Sequence, residues 1–309
     1  MAENYGLPYT GSKSRIAHWV IDNLPSGRVL IDAFAGGCAI THRALLSQKW
    51  QTIIANDING KYPQLFFDAI HGRYRDERRW ISREDFERLK SQDAFVACCW
   101  SFGNNLRSYM YSQAIEPYKR ALHYAIVFND FEPMQELMPE VAKTVHEAIH
   151  WIRNTHDRRI TAQNVIVKTL KRLTGDNYAH SIIQSNPLYQ SIRHSNKDAH
   201  RLESLERLER LRITSLSYNK IDIQDDAVVY CDPPYHASDN SLYEGTAKAF
   251  DHCAFYDWCV RVSRTNPIFI SEYSIEDERF EIVAEKQKTT CLSSVKSSNV
   301  TERLYTVKK

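Results

Sequence analysis

The chain has no run of about 18 apolar residues, so it offers no candidate for a membrane-spanning helix. Its first ten residues carry no basic segment followed by an apolar stretch, so no secretory leader is expected. Its seven cysteines are odd in number, include the adjacent pair Cys98-Cys99 and never fall in a CxxC spacing. That pattern fits neither a disulfide framework nor a zinc site. Reduced thiols in a soluble, cytoplasmic protein without a metal are the expectation. Excess charge is also missing. A formal net charge of +2 excludes a protein that coats nucleic acid with its whole surface, so any such footprint must be local. No GKS or GKT follows the glycine-containing turns, which argues against a phosphate-binding P-loop. There is no internal repeat and no low-complexity linker.

What is present is an ordinary globular composition, 43% hydrophobic and 25% charged over 309 residues. That is enough for one sizeable α/β domain with a smaller one inserted. Val29 to Asp32 is an apolar run ending in an acid, followed by the small-residue turn Ala33-Phe34-Ala35-Gly36-Gly37 and a helical stretch from Ala39 to Gln48. Thr52-Ile53-Ile54-Ala55 then leads to Asn56-Asp57. This is the strand–turn–helix–strand unit of a parallel α/β sheet. From about Lys61 to Ile213 the patterns turn helical, with amphipathic helices expected over Pro133 to Ile152 and Lys197 to Leu211. In the latter, Leu202, Leu205, Leu208 and Leu211 form a stripe that reads as a face packed on its own core. Strand signals return after Leu216, at Ala227 to Cys231, Pro267 to Ser271, and two segments between Thr289 and Val307 around a polar turn near Ser297-Ser298-Asn299. The expected organisation is a catalytic α/β domain from residues 1–60 and 214–309, enclosing a mostly helical insert over 61–213.

The strongest chemical signal is Asp232-Pro233-Pro234-Tyr235, directly after the apolar run Val228-Val229-Tyr230-Cys231. An exocyclic purine amino group is a poor nucleophile because its lone pair is delocalised into the ring. Acceptors for both of its hydrogens favour a tetrahedral nitrogen, and a carboxylate with a backbone carbonyl can supply them. Two prolines stiffen the loop, and a tyrosine offers a flat face to an extruded base. The second signal is Asp32-Ala33-Phe34-Ala35-Gly36-Gly37, where glycines let the backbone approach a ligand. It gains weight from Asp57, which ends the following strand where an acid can accept from ribose hydroxyls. The third is Tyr9-Thr10-Gly11-Ser12-Lys13, a turn whose ammonium can pair with a carboxylate.

These motifs, in this order, resemble the Dam-like adenine-specific DNA methyltransferases, with weaker matches at Asp222 and at Thr301-Glu302-Arg303-Leu304-Tyr305. The likeness covers the two flanking thirds and fades across the insert, where Phe102-Gly103-Asn104-Asn105 is a loose match. It implies a Rossmann-like fold that uses S-adenosyl-L-methionine. Tyr9, Lys13, Asp32, Phe34, Ala35, Gly36, Gly37 and Asp57 would line the cofactor site, with Asp222 reaching the cofactor adenine. Asp232, Pro233, Pro234 and Tyr235 would form the catalytic loop, Asp232 lying where cofactor and target meet. One departure stands out. The family loop usually reads FxGxG, whereas here Cys38 follows Gly37, and its small side chain should let the turn survive.

The insert would recognise the target. Arg158, Arg159, Lys168, Lys171 and Arg172 fall in a stretch without Asp or Glu, a candidate phosphate-contacting patch on double-stranded DNA. Arg73 to Lys90 is also arginine-rich but carries five acids, which reads as a solvated surface. The same loop type serves cytosine, RNA adenine and protein glutamine acceptors. Asp232, rather than Ser or Asn, favours adenine. A DNA-binding protein that kept only the shell is the non-catalytic alternative, and a monomer or weak dimer is expected.

Overall fold

The computed structural model describes residues 5–8, 11–74, 76–174, 208–235, 250–290 and 298–309, without side chains at 155, 156, 167, 170–174, 288–290 and 298–299. The chain divides into two compact units, 1–75 with 194–309, and 76–193.

The first unit opens with α1 (Ala17–Asn23), β1 (Gly27–Asp32), α2 (Ala39–Ser47), β2 (Trp50–Asn56) and α3 (Lys61–Ile70). β1 is buried from Val29 to Asp32 without alternation, as a central parallel strand covered on both faces must be. α3 buries Tyr62, Leu65 and Phe66, and the Phe66 ring meets His42 of α2 at 5.4 Å.

The second unit holds α4 (Arg83–Leu89), α5 (Ala94–Cys99), α6 (Glu116–His123), α7 (Glu132–Leu137), α8 (Pro139–Ile149) and α9 (Thr155–Thr174). Ser82 and Asp93 start α4 and α5 by accepting first-turn amide hydrogens, which helices leave unsatisfied. The single helix expected from Pro133 to Ile152 is in fact two. Pro139 disfavours a helical conformation at Met138, which sits at φ −150°, ψ 70° and separates α7 from α8. Met134, Val141, Val145 and Ile149 of these helices pack with Ala162 and Ile166 of α9 in the core of this unit.

The chain returns to the first unit through β3 (Leu211–Thr214), β4 (Val228–Cys231), α10 (His252–Val262), β5 (Ile268–Glu272), β6 (Phe280–Thr290) and β7 (Ser298–Val307). Leu211, expected to end a helix, opens a strand instead; the rest of that leucine stripe except Leu208 lies outside the described residues. β6 begins nine residues before the expected tail strand, because its charged stretch Glu285-Lys286-Gln287-Lys288 hides it.

The sheet order is β3-β2-β1-β4-β5-β7-β6. β1 to β5 run parallel, and β7 and β6 close the edge antiparallel. From β1 the chain proceeds outward to β2 and β3, then comes back to place β4 on β1's other side. Such a reversal opens a crevice at the carboxyl ends of β1 and β4, where open α/β sheets hold their ligands. Val29, Ile31, Val229, Cys231, Phe255, Trp258, Ile268 and Ile270 form the core beneath it. Among the described residues no helix is long and apolar enough to cross a membrane.

Candidate active site

Two loops leave the crevice side by side. The register pairs Asp32 with Tyr230, and the Ala33 amide donates to the Tyr230 carbonyl at 2.9 Å. The loop of residues 33–37 therefore starts against the strand that delivers Asp232.

Asp32 is 1% exposed. Its Oδ2 accepts from the Thr41 amide at 3.2 Å and the Thr41 hydroxyl at 2.6 Å. Its Oδ1 is buried with no hydrogen-bond partner among the described residues. Burial pushes this carboxyl up to about 7, Asp232 and Asp57 push the same way, and the Thr41 bonds oppose them. A cation placed at Oδ1 would reverse that shift.

The glycine-containing turn is formed as expected, although Cys38 adopts the left-handed conformation (φ 59°) at the start of α2. A β-carbon there is unfavourable. Two contacts hold it, a 2.6 Å hydrogen bond from the Cys38 amide to the Ala35 carbonyl and complete burial. The N-terminal segment fastens the turn from above, where the Leu7 amide donates to the Gly37 carbonyl at 2.7 Å.

Asp57 braces the loop from β2. Its Oδ2 accepts from the Gly36 amide at 2.9 Å and its Oδ1 from the Asn59 amide at 2.8 Å. Burial raises its carboxyl despite both bonds. Its neighbour Asn56 is a brace that sequence reasoning quoted without a role. The buried amide donates to the carbonyls of Ala33 and Leu216, each at 3.0 Å, and accepts from Thr214 and Leu216. Phe34 stacks on Tyr218 at 5.7 Å and meets Phe250 and Phe255 edge-on. Asp222 is exposed between Ile221 and Ile223, which pack on the core.

At the other loop, Pro233 and Tyr235 are buried while Asp232 and Pro234 are half-buried. The Lys13 ammonium lies 2.8 Å from Asp232 Oδ1, 4.5 Å from the centre of the Tyr235 ring, and 3.9 Å from Glu302. Tyr235 donates its hydroxyl to Glu302 and meets the Tyr273 ring edge-on at 4.7 Å. Burial, with Asp232 and Glu302 adding to it, pushes the Tyr235 hydroxyl well above the usual range, so it stays protonated and donates. Tyr273 went unread in the sequence, and Glu302 was quoted there without a role. The tail match at Thr301 to Tyr305 was the available signal for Glu302. Tyr9 lies outside the described residues.

In the second unit the expected basic patch separates. Arg158 is buried, and its guanidinium donates to the Ala125 carbonyl at 2.7 Å and to Asn129 Oδ1 at 2.5 Å. It joins α9 to the π-helical turn Tyr124–Phe128, which withdraws it from the phosphate patch. Arg159 is half-buried and Lys168 exposed, both on α9. Lys171 and Arg172 share that helix, but their side chains lie outside the described residues. Phe102 stands 65% exposed on a short turn held by hydrogen bonds such as Phe102 N to Ser108 O, 2.8 Å.

A cavity of about 510 Å³ lies along β6 and β7, lined by Ser274, Ile275, Ile282, Arg303 and Tyr305 among others, and contains none of the expected site residues. Among the described residues no group of three or more His, Cys, Asp or Glu could hold a metal ion.

The crevice thus joins a buried carboxylate loop to a carboxylate–proline–aromatic loop. The first suits a cationic ligand, and the second can accept hydrogen bonds from an amino group. Among curated proteins, no match to the chain was found. The family model of the D12 class N6 adenine-specific DNA methyltransferases matches residues 9–290. The chain belongs to that family, and is therefore an enzyme that methylates adenine N6 in DNA.

Proposed function

We propose that the methyl donor is S-adenosyl-L-methionine and that the acceptor is the amino group of an adenine turned out of duplex DNA. The observation that carries this reading is the meeting of the Asp32 and Asp232 loops at the reversal of strand order, with Ala33 bonded to Tyr230 at 2.9 Å.

The residues fit the cofactor. Asp32 Oδ1, buried and without a hydrogen-bond partner among the described residues, suits a cationic group. Asp57, just after β2, would accept from ribose hydroxyls. Phe34 with Tyr218 gives an apolar wall for a purine, and Asp222 is the acceptor for its amino group. The backbone of Ala35, Gly36 and Gly37 would line the same site, with Tyr9 and Lys13 assigned to it by the family resemblance alone. When bound, the cofactor supplies an electrophilic methyl group.

The protein's own part is to orient and polarise the target. Asp232 and the Pro233 carbonyl accept its two amino hydrogens and favour a tetrahedral nitrogen. Pro233 and Pro234 restrict the loop. Tyr235, held at its hydroxyl by Glu302, offers its ring to the base. No cysteine acts as a nucleophile in this scheme. The second unit, residues 76–193, would recognise the DNA target, with Arg159, Lys168, Lys171 and Arg172 of α9 contacting phosphates.

Asp232→Ala tests the reading. Methylation should fall by at least about 100-fold while cofactor binding and the unfolding temperature hold. Retained turnover would contradict it.

A further inference from the structure

The Lys13 ammonium sits in front of both groups that the proposed reading gives to the target base. It pairs with Asp232 Oδ1 at 2.8 Å and covers the Tyr235 ring at 4.5 Å. An adenine that takes this oxygen with its amino group and lies on this ring must displace the ammonium. Lys13 is itself buried, with 8% of its surface exposed. A buried ammonium moved off its carboxylate needs another anion, because an uncompensated buried charge is strongly unfavourable.

That anion is present. Glu302, on β7, is 0% exposed, and its Oε1 lies 3.9 Å from the Lys13 nitrogen. The gap exceeds a hydrogen bond, so the ammonium must move toward Glu302 to make one. The same oxygen accepts the Tyr235 hydroxyl, so the residue that would receive the ammonium also fixes the ring. Tyr273 packs edge-on against that ring at 4.7 Å, which limits its swing.

We propose that Glu302 is a positioning residue that takes over the Lys13 ammonium as Asp232 turns to the adenine amino group, holding Tyr235 in place meanwhile. In the free enzyme Lys13 closes the base site; with DNA bound it is drawn aside to Glu302. Glu302 touches neither the reacting nitrogen nor the methyl group and acts through Lys13 and Tyr235. The inference rests on the reading that Asp232 and Tyr235 receive the target base.

The test is a double-mutant cycle between Glu302→Gln and Lys13→Gln, read at saturating S-adenosyl-L-methionine on unmethylated duplex DNA of mixed sequence. Glutamine keeps an acceptor for the Tyr235 hydroxyl and removes the charge. Glu302→Gln should lower kcat at least about tenfold, leave the cofactor KM unchanged, and keep the wild-type unfolding temperature. In the Lys13→Gln background the same change should cost less than about threefold, because no ammonium remains to be drawn aside. Glu302→Asp should restore part of the rate.

Where Lys13→Gln leaves no measurable turnover, the cycle is read in DNA affinity with S-adenosyl-L-homocysteine bound. Glu302→Gln should then weaken binding, and adding Lys13→Gln should restore it. An equal penalty in both backgrounds, or a Glu302→Gln enzyme indistinguishable from wild type, overturns the proposal. Retained turnover in Asp232→Ala overturns the underlying reading instead, so the two failures are distinct.

Discussion

Thr41 grips one oxygen of Asp32 twice, from its amide at 3.2 Å and its hydroxyl at 2.6 Å, and leaves the other oxygen buried. The carboxyl stands at about 7 instead of its ordinary 3.8, through burial first and then Asp232 and Asp57, against the Thr41 bonds. The folded state therefore holds a proton that the unfolded chain has released between those two values. Stability should fall as pH rises from about 4 to about 7 and level off above, by on the order of 4 kcal/mol for this group. Thermal unfolding across that range checks it, and Asp32→Asn should flatten the profile.

Under the proposed reading, the same group should couple cofactor binding to protons. A cationic ligand favours the ionised carboxylate, so binding at pH 6 should release about one proton, and affinity should rise with pH up to about 7. Calorimetry in two buffers of different ionisation enthalpy measures the release. An Asp32→Asn protein that still releases the proton would assign it elsewhere, with Asp57 the first alternative.

Gly6 is a point where space and backbone act together. A β-carbon there would lie 2.3 Å from the Gly37 carbonyl oxygen, and its φ of +70° is one that side chains resist. Gly6→Ala should destabilise the protein by about 1–3 kcal/mol. By pushing on Gly37 it should weaken cofactor binding more than DNA binding. Unfolding curves and separate titrations distinguish these effects.

Two basic residues of α9 should behave in opposite ways. Arg158→Ala removes the guanidinium that bonds Ala125 and Asn129, and should cost about 2–3 kcal/mol of stability. Lys168→Ala should leave stability alone and reduce the salt slope of DNA binding by about 1, as expected for one phosphate contact. Equal salt slopes for the Lys168 variant and wild type would remove that residue from the interface.

The parts of the fold that were legible in sequence are those where burial and local pattern agree. Val29 to Asp32 and Val228 to Cys231 are fully buried strands, and each announces itself as an apolar run ending at an acid. The family motifs followed because their residues are contiguous. β6 was hidden because an edge strand with exposed positions needs no apolar pattern. The α7–α8 break was written in Pro139, but a continuous amphipathic stripe outweighed it. Glu302 was quoted only within the weak tail match and without a role, because its meaning lies in contacts with Lys13 and Tyr235, distant in sequence. Arg158 misled for the converse reason, since a basic residue in a basic stretch looks solvated until its carbonyl partners are known.

The most direct measurement is transfer from radiolabelled S-adenosyl-L-methionine to unmethylated duplex DNA, followed by digestion to nucleosides. The expected result is label in N6-methyladenine deoxynucleoside, lost in Asp232→Ala. Label in a cytosine nucleoside, or none in DNA from a protein that binds the cofactor, would contradict it.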